Sequence, residues 1–274
     1  MRKRMKLTDT KILVSGSTLE VYRYLDRKLS YNYIVPQSPN KIRSRIEVID
    51  EKTKEQKRKS REKSMARARS KLRRLVNANA WKWKRTNGTP YTPKFVTLTF
   101  ADNLQDIKEV NLLFSLFIKR LNYSESGKES FLKYVVVTEF QKRGAVHFHI
   151  IFFNLEYIWG DDLRSIWKHG ITHIRNIDNV SNAGAYVCKY MGKGFEDERL
   201  DGKKRYFSSR ELIKPVEIRR EHDARKILDE IPRKLLKQNK IYNDVSDNRI
   251  QYLAFQVDKK DSFVDVVPYL KYFI

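Results

Sequence analysis

Cysteine is almost missing from this chain: Cys188 is the only one among 274 residues. No intramolecular disulfide is therefore possible, and a cysteine-rich zinc site is excluded. No apolar run reaches the roughly 18 residues that a membrane-spanning helix needs, so nothing is expected to cross a bilayer. The basic start, MRKRMKLTDTK, lacks the apolar core of a signal peptide. No G-x-x-x-x-G-K-[ST] motif occurs, and the GKG at 192–194 has the wrong spacing for a phosphate-binding loop. There is no internal repeat. Acidic residues are scarce, 33 against 57 Lys and Arg, for a formal net charge of +24. That excess points to a polyanionic partner, nucleic acid ahead of an anionic membrane. The expectation is a cytoplasmic protein with no membrane partner.

What is present is unevenly distributed. Residues 51–85 hold fifteen Lys and Arg against three Glu, which is half of the chain's net charge. Within them Met65, Ala68, Leu72, Leu75 and Val76 recur at helical spacing, so the segment reads as a basic helix with one apolar stripe. A solvated charged face is the plainer reading of the same residues. Asn-Gly at 87–88, Pro90 and Pro93 end it. A regular stretch comes next, with strands predicted at 95–100, 133–141, 146–154 and 171–177 and helices at 104–122, 161–168 and 182–193. The short KRG turn between the second and third strands makes them a hairpin. The order β-α-β-β-α-β-α predicts an α+β fold, an antiparallel sheet with helices on one side. A helix over 221–238 and a strand over 251–257 are expected in the tail. Four segments result: 1–50 without an assigned fold, the basic helical segment 51–85, a core at 86–210 and a C-terminal extension at 211–274.

Two features carry chemistry. In VHFHIIFF (146–153) six of eight residues are apolar and the other two are His147 and His149. A strand alternates its side chains, so both imidazoles share a face. Such a pair chelates a divalent metal if a third ligand joins it, and across the turn Glu139 is the candidate. Two satisfied structural histidines are the alternative. In YVCKYMGK (186–193) Tyr186 and Tyr190 are i and i+4, as are Lys189 and Lys193 on an adjoining face. Phenols beside ammonium groups suit attack on a phosphodiester, although helix aromatics are more often core.

FVTLTF, then H-F-H, then Y-x-x-K-Y-x-x-K resembles in order the three motifs of HUH endonucleases, and among them the rolling-circle replication initiators of small single-stranded-DNA phages and plasmids. The resemblance covers about residues 65–210, including KKRYFSSRELIKP (203–215), which is similar to the segment after the tyrosine helix in those proteins. It implies a five-stranded antiparallel, RRM-like sheet with the histidines on central strands. It implies Mg²⁺ or Mn²⁺ held by His147, His149 and an acidic residue, here Glu139. It implies nicking of origin DNA, with a tyrosine joined to the 5′ phosphate and a free 3′-OH left for polymerase. Paired tyrosines imply that Tyr186 and Tyr190 alternate, helped by Lys189 and Lys193. In conjugative relaxases the tyrosine precedes the histidines; here it comes after them, as in replication initiators. Without an ATPase motif, a host helicase and DNA polymerase are the expected partners. Arg67, Arg69, Lys71, Arg73 and Arg74 are the expected phosphate contacts. The competing readings are an HUH-type transposase and a non-catalytic binder of single-stranded nucleic acid.

Overall fold

The computed structural model describes residues 5–26, 29–32, 54–127, 131–178, 182–190, 197–201, 203–244, 247–258 and 261–274. In chain order the elements are β1 (Met5–Thr8), β2 (Thr10–Ser15), β3 (Thr18–Tyr24), β4 (Leu29–Asn32), α1 (Lys54–Asn79), β5 (Lys94–Phe100), α2 (Ile107–Ser126), β6 (Tyr134–Phe140), β7 (Val146–Phe152), α3 (Gly160–Trp167), β8 (Gly170–Asn176), α4 (Ala183–Tyr190), β9 (Tyr206–Ser208), β10 (Val216–Ile218), α5 (Glu221–Glu230), β11 (Leu236–Asn243), β12 (Arg249–Gln256) and α6 (Phe263–Val266). They form an α+β fold with two five-stranded antiparallel sheets, and β1 pairs separately with β4.

The first sheet has the order β8-β5-β7-β6-β9, which puts the histidine strand β7 in its centre. Alternation along β7 sorts its residues onto two faces. Val146, Phe148, Ile150 and Phe152 join Val110, Phe114, Phe117 and Leu121 of α2 and Leu163 and Trp167 of α3 in one core. Ile151 and Phe153 face the other way, against Leu72, Leu75 and Val76 of α1 and Ala183 and Val187 of α4. Helices therefore cover both faces, not one. The reason lies in β7 itself, which is apolar on both sides at its C-terminal end, so each side needs a cover. Burying one Leu or Val of this kind contributes about 1.5–3 kcal/mol.

Helices α1 and α4 cross closely. A Cβ on Gly184 would lie 2.2 Å from the Arg73 carbonyl oxygen, so only glycine fits there. The Gly184 N–H donates to Asn77 Oδ1 at 2.7 Å, and Asn182 Oδ1 caps the helix by accepting from the Ala185 N–H at 2.8 Å. These contacts fix the helix that carries the tyrosines.

The second sheet, β10-β2-β3-β12-β11, joins strands from both ends of the sequence. Its core sets Ile12, Val14, Leu19 and Val21 against Ile227 of α5 and against Phe263, Val267 and Leu270. The helix expected over 221–238 stops at Glu230, and 236–243 is strand β11 instead. Pro232 explains the stop: it bars Ile231 from the helical region, and Ile231 is extended at φ −70°, ψ 121°.

Glu20 ties this sheet to α1. It is 1% exposed and accepts from Arg73, from Arg74 Nε at 2.6 Å and from Tyr252 Oη at 2.8 Å. Burial pushes its carboxyl up, but the guanidinium groups of Arg73 and Arg74 outweigh that and hold it below the usual carboxylate range. A depressed folded-state pKa contributes stability above the unfolded value and loses it as pH falls through the folded value. Glu20→Ala leaves two half-buried guanidinium groups without their counter-charge, at a cost of about 3 kcal/mol. The expected result at pH 7 is a melting temperature lower by about 6 °C or more, with a flatter acid limb than the parent chain. A melt within a degree of the parent would show that the cluster is not a structural clasp.

Among the described residues, no helix is long and apolar enough to cross a membrane.

Candidate functional site

The hairpin sets the register on which everything else depends. Gly144, at φ 98°, closes the turn with its N–H donating to the Gln141 carbonyl at 2.9 Å. A side chain at this φ is strained, so glycine is required. Arg143 holds the tip against β5 by donating to the carbonyls of Ala101, at 3.0 Å, and Phe100, at 2.5 Å. With the turn fixed, Glu139 lies directly opposite His147, and Val137 opposite His149. On the other side of β7, Thr97 of β5 pairs with His149 and Thr99 with His147. One strand further, His173 of β8 pairs with Thr97.

His149 is held at both ring nitrogens. Its Nδ1 lies 3.1 Å from Thr97 Oγ1 and its Nε2 lies 2.5 Å from Glu139 Oε2. Phe95 stacks on the ring at 5.7 Å between centroids. His147 sits beside it at 6.2 Å, and its buried Nε2 has no hydrogen-bond partner among the described residues. Burial, assisted by His149 and opposed by Glu139, pushes the His147 pKa down to about 4, so the ring is neutral at pH 7. An unpaired buried nitrogen costs about 1–3 kcal/mol, and a ligand that it could donate to or accept from would remove that cost. Two imidazoles and one carboxylate on one face are a donor set for a divalent cation with open positions. Among the described residues, however, no three such side chains already converge on a point, because Glu139 engages His149 directly. A cation would take the place of that hydrogen bond.

A cleft of about 470 Å³ opens next to His149, lined by Phe95, Thr97, His149, His173, Ile174 and Arg175. Arg175 bridges it to the tyrosine helix: its guanidinium lies 4.9 Å from the centre of the Phe95 ring and 5.4 Å from that of Tyr186. Tyr186 is half-buried and packs on the sheet face that carries the histidines. It is thus brought near them through Arg175 and Phe95. Tyr190 ends α4, its side chain lying outside the described residues, as does all of Lys193; Lys189 is exposed. Cys188 is half-buried, and burial pushes its thiol up to about 11, which keeps it unreactive.

Of the expected phosphate contacts, Arg67 and Lys71 line a basic groove beside β9. Arg69 lies where its carbonyl accepts the Cys188 thiol proton at 3.7 Å, and it does not line that groove. Arg73 and Arg74 are a correction: both are committed to Glu20. A guanidinium already paired with a buried carboxylate is a poor phosphate contact, and sequence spacing cannot reveal a partner more than fifty residues away. His173, Arg175 and Thr97 escape a reading of the sequence alone. Their signal is nonetheless there, since ITHIRNI and FVTLTF alternate and the polar residues of each share one face.

Residues 93–195 match the family model of the replication-associated protein ORF2. The matched stretch starts at β5 and runs past α4, so it holds Glu139, His147, His149, Tyr186, Lys189, Tyr190 and Lys193 and leaves out α1 and the second sheet. This similarity is to a replication-associated protein, the broad class that the motifs imply. No curated protein and no solved structure matches the chain.

Proposed function

We propose that this protein is a replication initiator that nicks and rejoins single-stranded origin DNA through a tyrosine. The observation that carries this reading is that His147, His149 and Glu139 share one sheet face with Tyr186, inside the segment similar to replication-associated proteins. A plain DNA binder has no need of an unpartnered buried imidazole next to a clamped one.

Mg²⁺ or Mn²⁺ would be held by His147, His149 and Glu139, and when bound it supplies charge neutralisation at the non-bridging oxygens of the scissile phosphate. The chain's own residues do the rest. Thr97, at Nδ1, fixes the orientation of the His149 ring so that Nε2 points to the carboxylate side. Tyr186 or Tyr190 attacks phosphorus: the Tyr Oη–P bond forms, the P–O3′ bond breaks, and the phenol proton is given up as the leaving 3′ oxygen takes one. A phenol ordinarily titrates near 10; Lys189, and Lys193 one turn on, favour its anion and hold the phosphate. The second tyrosine repeats the cleavage on the regenerated origin, so the ends are joined. Strand opening and synthesis fall to a host helicase and polymerase.

The test uses single-stranded oligonucleotides that tile the DNA encoding the protein, incubated with Mn²⁺ or Mg²⁺. The expected result is a protein–DNA species that survives denaturant and disappears with protease, together with a strand ending in a free 3′-OH. Tight binding of all tiles with neither product would instead establish the non-catalytic binder.

A further inference from the structure

A groove of about 770 Å³ runs between α1 and the segment that leads into β9. One wall is α1, with Ser60, Lys63, Ser64, Arg67 and Lys71; the other includes Lys203, Lys204, Tyr206 and Ser208, with Lys214 beyond. Arg205 also lines it but is tied to Asp201 at 2.6 Å. The two walls are joined at one end by Arg61, which donates to Glu198 at 2.8 Å and to Asp201 at 3.1 Å. Those acids are used up holding the walls together. Lys63, Arg67, Lys71, Lys203, Lys204 and Lys214 form no ion pair among the described residues, and no carboxylate among them lines the groove. Six like charges facing one concave space repel each other and have no structural role there. Their placement makes sense only with an anion between them.

We propose that this groove is the track for the sugar–phosphate backbone of single-stranded DNA leading into the candidate active site. The proposal rests on the nicking reading only for where the strand goes next. The groove wall from Ser60 to Leu75 extends about 22 Å at 1.5 Å per residue, long enough for at most about six phosphates at the 3.4 Å spacing of one strand. Tyr206 connects the groove to the site. It pairs with Val137, and Val137 pairs with His149, so Tyr206 stands two strand spacings, about 10 Å, from His149. Its ring is half-buried and lines the groove, which offers a stacking surface to a base. Ser60, Ser64 and Ser208 add hydroxyl donors for phosphate oxygens. A single strand fits better than a duplex because the cations line both walls of a concavity, and a single strand can enter it. The site is non-local: Lys63 and Lys203 come from opposite sides of the core segment.

The experiment measures binding of a labelled oligo-dT strand by anisotropy in EDTA, across a salt series. The full chain is compared with a groove variant, Lys63→Gln, Lys203→Gln, Lys204→Gln and Lys214→Gln together. A control variant carries the same change at four exposed lysines elsewhere, Lys108, Lys119, Lys234 and Lys237. At about 0.7 per phosphate contact, the slope of log affinity against log salt should flatten by about 3 in the groove variant and much less in the control. Equal loss in both variants would reduce the effect to net charge and overturn the proposal. Loss of duplex binding, or of binding to phosphatidylserine vesicles, with oligo-dT binding intact would overturn it too. A melting curve shows whether the variant folds. Should it not, crosslinking of an iodouracil-substituted strand to the unmodified chain decides: attachment within 203–208 supports the groove, and attachment confined to other segments refutes it. EDTA keeps the measurement independent of cleavage. An adduct test that fails beside a groove test that succeeds would refute nicking and leave the track standing.

Discussion

Replacing Tyr186 and Tyr190 together by Phe abolishes the covalent DNA adduct, whereas either single replacement still forms it; that is the expected outcome if the two phenols alternate. They lie one helical turn apart, about 6 Å along the axis of α4, so both can reach one phosphate position in turn. Each single variant should nick once and fail at the paired cleavage that closes a replication round. The read-out is a denaturing gel of the adduct, with peptide mapping of the attached residue. If Tyr186→Phe alone removes all adduct and Tyr190→Phe behaves as the parent, the chain has one nucleophile. The half-buried seat of Tyr186 against Arg175 would then be the attacking position. Attachment to any other residue would remove α4 from the mechanism.

The second large effect belongs to the histidines. His147→Ala or His149→Ala should lower the cleavage rate by about 100-fold or more, since each removes a donor itself and not only its support. Binding of single strands should change by less than about twofold, because the positive charge that attracts DNA lies mainly along α1 and before β9. Thr97→Val makes a graded comparison. It removes the partner of His149 Nδ1 and keeps the side chain's shape, so the apparent affinity for Mn²⁺ should fall about 10- to 100-fold. Rescue at high Mn²⁺ separates such a positioning role from a folding defect. Titration of Mn²⁺ by electron paramagnetic resonance reads that affinity without cleavage. Unchanged cleavage in both alanine variants would dismiss the metal assignment.

The fold and the candidate site are legible in the sequence to different depths. Period-two alternation in FVTLTF, YVVVTEF and VHFHIIF, and helical spacing in α1, α2 and α4, depend only on neighbours along the chain. These elements can therefore be read directly, and with them the placing of His147 and His149 on one face. The place of Glu139 is a choice among registers. It becomes definite only with the Gln141–Gly144 turn, because one residue of slip would move every side chain to the opposite face. The helix expected to 238 is a missed local signal, since Pro232 is there to end it.

What the sequence by itself determined is the set of amphipathic faces, the positive excess and the order of the motifs, all of which are local or additive properties. Only the tertiary structure decided what those faces meet. It brought the two ends of the chain together in a second sheet, with β3 beside β12. It gave Arg73 and Arg74 to a carboxylate more than fifty residues away and left Lys63, Lys203 and Lys204 facing one groove. A basic residue looks the same in the sequence whether or not a distant acid has been folded against it. Its electrostatic role is set by neighbours in space, which the path of the chain supplies and the local pattern does not contain.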